Sequence, residues 1–132
     1  MIDLEAKIFT CCYEEVIKEY PNCDVTSEYV NSPSKMPHVS IVEKDNAVWR
    51  NTSDEITENH VALTYEVNVY SNKTTGKKTE AKAIFAVADK ALEDMGLRRT
   101  SLNESPNLYD TSIYRLTARY KCVANNDFIF RR

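Results

Sequence analysis

The feature that most constrains this chain is a pair of long alternating runs separated by an alanine-rich segment. The first is Val61-Ala62-Leu63-Thr64-Tyr65-Glu66-Val67-Asn68-Val69-Tyr70, continuing to Ser71. Val61, Leu63, Tyr65, Val67 and Val69 share one face at period two, which specifies a strand over 60–71 with one face against a core. The second run spans 111–124. It places Tyr114, Leu116, Ala118, Tyr120 and Cys122 on one side and Arg115, Thr117, Arg119 and Lys121 on the other. Between them lies a segment whose apolar residues repeat at helical spacing. Ile84, Phe85, Ala88, Leu92 and Met95 form a stripe over 79–95, flanked by Ala81 and Ala91, small enough to let a helix lie close to a sheet. Thr75 or Thr79 is the expected cap, and Glu80 suits the positive end of the helix dipole. Gly96 is placed to end the helix in the left-handed conformation.

The remaining segments complete an α+β pattern. A helix is expected over 3–20, with Phe9, Tyr13, Val16, Ile17 and Tyr20 as its apolar stripe, Leu4, Ile8 and Cys12 beside it and Asp3 as cap. Pro21 ends it, because the residue before proline is pushed out of the α region. Strands are expected at 23–30, 38–43 and 97–102, with a short one at 128–131. Residues 31–37 and 103–110 have turn composition. Residues 44–59 read as a long polar connection containing Ala47-Val48-Trp49. The predicted order is α-β-β-β-α-β-β: a single α+β domain over 1–132, with a mainly antiparallel sheet and two helices packed on one side.

At 132 residues the chain is long enough for a real core. It has no apolar run of about 18 residues, so no spanning helix is expected. Met1-Ile2-Asp3-Leu4-Glu5 is acidic and amphipathic, unlike the basic start of a secretory signal, so an intracellular product is expected. The net charge of −3 argues against a domain whose work is neutralising phosphates. The four cysteines, Cys11, Cys12, Cys23 and Cys122, form no C-x-x-C pair and are expected to be reduced thiols. Eight tyrosines against four phenylalanines suit half-wet surfaces such as interfaces.

No enzymatic signature stands out. The two glycines, Gly76 and Gly96, are too few for a glycine-rich phosphate loop. Gly76-Lys77-Lys78, after a strand and before a helix, is the one segment that suggests an anion contact at a helix start. His38 and His60 each open a strand. A hairpin centred near residue 52 would set His38 near Glu66 and His60 near Lys44, well apart. No cofactor and no metal are expected. Arg115, Arg119 and Lys121 lie on one face of one strand, either as an ordinary solvent face or as a contact surface. Trp49, the single tryptophan, sits in the polar connection, where it folds back on the core or anchors an interface. Lys73, Lys77 and Lys78, beside the end of the 60–71 strand, are expected to guard a strand edge against unwanted pairing.

Several stretches resemble the small tail-terminator, tail-completion or head–tail joining proteins of long-tailed phages and prophages of Gram-positive bacteria, some labelled minor capsid proteins. They are Glu43-Lys44-Asp45-Asn46, Glu58-Asn59-His60, Tyr65 to Lys73, Gly76-Lys77-Lys78 and Glu80-Ala81-Lys82. Leu97-Arg98-Arg99-Thr100, Pro106-Asn107, Ile113-Tyr114-Arg115, Ala118-Arg119-Tyr120 and Arg131-Arg132 continue the likeness, which runs from about residue 38 to the end. The resemblance implies a sheet flanked by helices. It also implies a structural virion protein with no catalytic residues or cofactor, forming a ring, typically of six subunits, at the head-proximal end of the tail tube. Its partners would be further copies of itself, the tail tube protein and the head connector, with DNA only as passing cargo and no membrane. Its place would be the host cytoplasm during assembly and the tail or neck of the virion afterwards. Trp49, Lys73, Lys77, Lys78, Arg115, Arg119 and Lys121 are the candidate interface residues. The alternative is a small intracellular ligand- or phosphate-binding domain or enzyme using the Gly76-Lys77-Lys78 loop.

Overall fold

A computed structural model describes residues 3–28, 35–48, 61–73, 75–106, 113–124 and 129–130. The elements run α1 (Glu5–Glu19), β1 (Asp24–Thr26), β2 (His38–Val48), β3 (Val61–Ser71), α2 (Lys77–Asp94), β4 (Arg98–Pro106), β5 (Tyr114–Ala124) and β6 (Ile129–Phe130). The strands form one sheet in the order β1-β2-β3-β5-β4, with β6 also on β5. β1 and β2 are parallel and every other pair is antiparallel. The expected α+β architecture is present.

The sheet is two-faced because its strands alternate in step. Val67 lies opposite Ile41 and Ala118, and Val69 opposite Val39 and Leu116. All join one apolar cluster with Leu4, Ile8, Cys12 and Val16 of α1 and with Ala81, Ile84, Phe85, Ala88, Ala91 and Leu92 of α2. Both helices therefore cover the same face. Tyr65 and Tyr120 are opposed across β3 and β5 at the centre of this layer, both fully buried. A buried phenol needs a partner for its hydroxyl. Tyr65 donates to Glu43 Oε1 at 2.9 Å, and Tyr120 to Asp89 Oδ1 at 2.6 Å. Burial, and then these carboxylates, push both phenols well above the ordinary tyrosine range.

The inner stripe of α1 differs from the predicted one. It is Leu4, Ile8, Cys12 and Val16, at strict four-residue spacing, and Tyr13 is exposed. Short side chains let α1 press against α2, where Cys12 Sγ lies 4.0 Å from the Ala88 carbonyl. The bulkier Phe9 and Tyr13 stack on each other at the margin, 5.8 Å between ring centres. Asp3, the expected cap, lies one position before the observed one: Leu4 is the N-cap, and Asp3 Oδ1 accepts the Glu5 N–H at 3.1 Å.

α2 begins two residues before the expected start. Gly76, at φ 84°, is its N-cap, so neither Thr75 nor Thr79 caps it. A left-handed φ opens the chain from β3 into the helix, and only glycine adopts it without strain. Ser71 Oγ donates to Glu80 at 2.7 Å, tying the end of β3 to the first turns of α2. At the other end the Gly96 and Leu97 N–H groups reach the carbonyls of Glu93 and Leu92, a Schellman motif with Gly96 at φ 103°. Gly96 ends the helix as expected.

β2 extends five residues beyond its predicted end, from Glu43 to Val48, so 44–48 is strand rather than connection. A bulge between Glu43 and Asp45 absorbs Lys44 and lets the polar stretch continue the ladder. The register also differs from the expected one: His38 lies opposite Tyr70, not Glu66. β4 likewise runs on to Pro106, through Ser105 and Pro106 that were expected in a turn. β1 is shorter than the expected 23–30, and residues 29 and 30 lie outside the described residues.

Candidate polar face of the sheet

The face of the sheet turned away from the helices carries the polar residues of β2, β3 and β5 in rows across the strands. One row is His38, Tyr70 and Arg115. The next is Ser40, Asn68, Thr117 and Asn103, followed by Val42, Glu66, Arg119 and Ser101. These rows are not simply solvent-facing. His38, Ser40, Glu66, Asn68 and Tyr70 are all buried.

Their burial is matched by a connected network. Asn68 Oδ1 accepts from Arg115 Nε at 3.0 Å and from Thr117 Oγ1 at 2.8 Å. Its amide donates to Glu66 Oε1 at 3.1 Å. The other Glu66 oxygen meets Arg119 Nη2 at 3.0 Å. The Arg115 guanidinium also lies over the Tyr70 ring, 5.8 Å from its centre, and the His38 ring meets Tyr70 edge-on at 5.6 Å. Among the described residues no buried side-chain nitrogen or oxygen lacks a partner. Such satisfaction is what makes a buried polar layer tolerable and stiff.

His38 ends the network at the parallel β1 edge. Its Nδ1 lies 3.0 Å from Asp24 Oδ2 and its Nε2 3.2 Å from Thr26 Oγ1. Burial lowers its pKa, and the Asp24 carboxylate offsets this only in part. The neutral ring is therefore favoured, with Nδ1–H donating to Asp24, while Nε2 and the Glu28 carbonyl, at 3.1 Å, compete for the single Thr26 hydroxyl proton.

The predicted site residues fall into separate groups. Arg115, Arg119 and Lys121 do share the helix-free face of β5, as their spacing required. Arg115 and Arg119 are held by β3, whereas Lys121 is exposed with Thr64 opposite it. Lys73 and Lys78 are exposed near the start of α2, and Lys77 is half-buried there. Lys78 pairs with Glu104 of β4 at 3.2 Å, and Tyr114 donates to the same carboxylate at 2.9 Å. These contacts hold that carboxyl below the ordinary range. The three lysines do not guard an edge of β3, because β3 is paired on both sides. Trp49 and His60 lie outside the described residues. Glu66, Asn68 and His38 were not predicted as site residues. Glu66 and Asn68 stand at alternate positions in the most apolar strand of the chain, which was the available signal.

Two further features complete the chemistry on view. Cys12, Cys23 and Cys122 are buried, and burial pushes each thiol up to about 12, which makes them poor nucleophiles. Between α1 and α2 an open groove of about 610 Å³ is lined by Cys11, Ala86, Val87 and Met95, with Glu15 and Asp94 among its polar residues. No group of three or more potential metal ligands occurs among the described residues, and no described helix is long and apolar enough to cross a membrane.

No protein-family model matches the chain, and no curated protein matches it significantly.

Proposed function

We propose that this chain is a structural subunit that works by self-association, forming a ring at the head-proximal end of a phage tail tube and joining that tube to the head connector. The observation that carries this reading is the helix-free face of β5. Arg115 and Arg119 are fixed there by Asn68 and Glu66 on the neighbouring strand, next to the exposed Lys121. A stiff, charged, side-chain-rich surface on a central strand suits docking onto another protein, because little ordering remains to be done on binding. The sequence likeness to tail-terminator and head–tail joining proteins includes Arg115 and Arg119. A subunit of this kind needs no substrate and no cofactor, and DNA passes through its ring as cargo.

The test is genetic and physical. Removing the gene from its phage or prophage should yield filled heads and separate tails, or tails of uncontrolled length. Complementation with Arg115→Glu/Arg119→Glu/Lys121→Glu should fail to join them, whereas the wild-type gene should restore joining. Infectious virions of normal tail length from the deletion would end the proposal.

A further inference from the structure

Among the described residues, both edges of the sheet are open along part of their length. β1 pairs β2 only from His38 to Ser40, so among the described residues no strand covers the outer side of Ile41–Val48. β4 pairs inward with β5, and no described strand covers its outer side. An open edge is a row of backbone N–H and C=O groups that templates another strand.

The two edges match each other in four ways. First, direction: β2 runs opposite to β3, β3 opposite to β5, and β5 opposite to β4. A second copy in the same orientation, with its β2 beside the first copy's β4, continues that alternation unbroken. Second, charge: Ile41–Ala47 carries Glu43, Lys44 and Asp45 and is net negative, whereas Arg98–Glu104 carries Arg98, Arg99 and Glu104 and is net positive, with Arg99 also meeting Asp89 at 3.3 Å and Glu104 meeting Lys78 at 3.2 Å within the subunit. Third, shape: each edge carries one bulge, between Glu43 and Asp45 on β2 and between Arg99 and Ser101 on β4. Bulged, charged edges reject a flat partner strand. A partner bulged at the facing position is not rejected. Fourth, apolar surface: Leu102 is a large hydrophobic side chain left 39% exposed, and its pairing with Ala118 puts it on the helix side of the β4 edge. Laying Arg98–Glu104 antiparallel along Ile41–Ala47 of the second copy keeps like faces together. It brings the bulges side by side, Leu102 opposite Glu43 and diagonal to Ile41, and Arg98 opposite Ala47 and diagonal to Asp45.

We infer that these edges are the two halves of one interface: β4 of each subunit adds to β2 of the next, running the sheets of neighbouring subunits into one another. The contact is heterologous, so repetition closes a ring or extends a filament rather than stopping at a dimer. Backbone hydrogen bonds supply adhesion, and the bulges and charges supply the register. This inference rests on the ring reading above and names the surfaces that make it.

Hydrogen exchange on the assembled and the diluted protein tests it without any substitution. In the oligomer, outward-facing amides of Ile41–Ala47 and Arg98–Glu104 should exchange at least tenfold more slowly than in the monomer. An oligomer in which these amides exchange as fast as in the monomer overturns the edge pairing and leaves the ring reading standing. A chain that stays monomeric up to the highest soluble concentration, and whose deletion leaves virions intact, overturns both. A charge swap gives an independent check, with circular dichroism confirming that each variant is folded. Asp45→Lys alone and Arg98→Glu alone should each assemble at least tenfold less readily than wild type, and an equal mixture should assemble as alternating copies. A mixture no better than either variant alone overturns the pairing.

Discussion

The Arg119 guanidinium lies 3.0 Å from the Glu66 carboxylate, directly opposite it across the β3–β5 pair, and Glu66 is buried while Arg119 is half-exposed. Glu66 also accepts the Asn68 amide, so the pair belongs to a network that continues to Arg115 and Thr117. A buried carboxylate of this kind is tolerable only while its partners remain.

Removing the cation should therefore cost more than a surface ion pair would. Arg119→Ala is expected to destabilise the fold by about 1–3 kcal/mol, the penalty of leaving a buried polar group short of a partner. Glu66→Gln in the same chain should recover part of that loss, because the uncompensated charge is gone. Urea denaturation of the two single variants and the double variant measures the coupling.

Asn68 is a branch point of this face, accepting two hydrogen bonds and donating one. Asn68→Ala should cost about 1–3 kcal/mol. It should also loosen the Arg115 and Arg119 side chains, seen as faster exchange and broader side-chain resonances. Asn68→Asp keeps the acceptor for Arg115 and Thr117 but places a second carboxylate beside Glu66, so it should rescue less than its shape suggests.

His38 gives the fold a pH dependence of definite sign. Its pKa is lowered from 6.5 by burial, so between its folded value and 6.5 the unfolded chain binds a proton that the folded chain refuses. Stability should rise with pH through that window, be complete above it, and fall as the solution is acidified below about 6.5. Glu43 acts in the opposite sense. Burial raises its carboxyl above 4.5, so the folded chain holds a proton that the unfolded chain has released, and this favours folding as pH falls toward 4.5. Thermal melting of His38→Gln against wild type from pH 5 to 8 isolates the histidine: the difference between the two curves should shrink on acidification. A pH-independent difference would remove His38 as the cause.

Gly76 separates backbone strain from crowding. A Cβ added there meets no atom within 4 Å, yet φ is +84°. Gly76→Ala should cost about 1–2 kcal/mol from conformation alone, and Gly76→Asn, which tolerates the left-handed region, should cost less. Equal losses for both would mean that the turn, rather than its φ, is being disturbed.

How much of this was legible from residues alone depends on the kind of signal. The period-two runs in β3 and β5 and the alanine-rich α2 were readable because a sheet buried on one face and a helix laid upon it each leave their own spacing. Gly96 was readable because a left-handed C′ position selects glycine. The inner stripe of α1 was misassigned because two overlapping apolar stripes are available on that helix. The choice between them is made by how closely α2 approaches, which favours the smaller residues. The extension of β2 was hidden because Lys44, Asp45 and Asn46 are polar, and a bulge, not hydrophobicity, carries the strand through them.

The candidate site divides in the same way. Alternation alone put Arg115, Arg119 and Lys121 on one face of one strand. It could not show that Arg115 and Arg119 are anchored while Lys121 is exposed, because that depends on Asn68 and Glu66 arriving opposite them in one particular register. Local periodicity thus determined the faces of β3, β5 and α2 and the α+β class, since each is set by neighbours a few positions away. The strand order, the bulges, the His38–Asp24 contact and the polar network were decided by the tertiary structure. They join residues tens of positions apart, and a hydrogen bond forms only where both partners are carried to within about 3 Å.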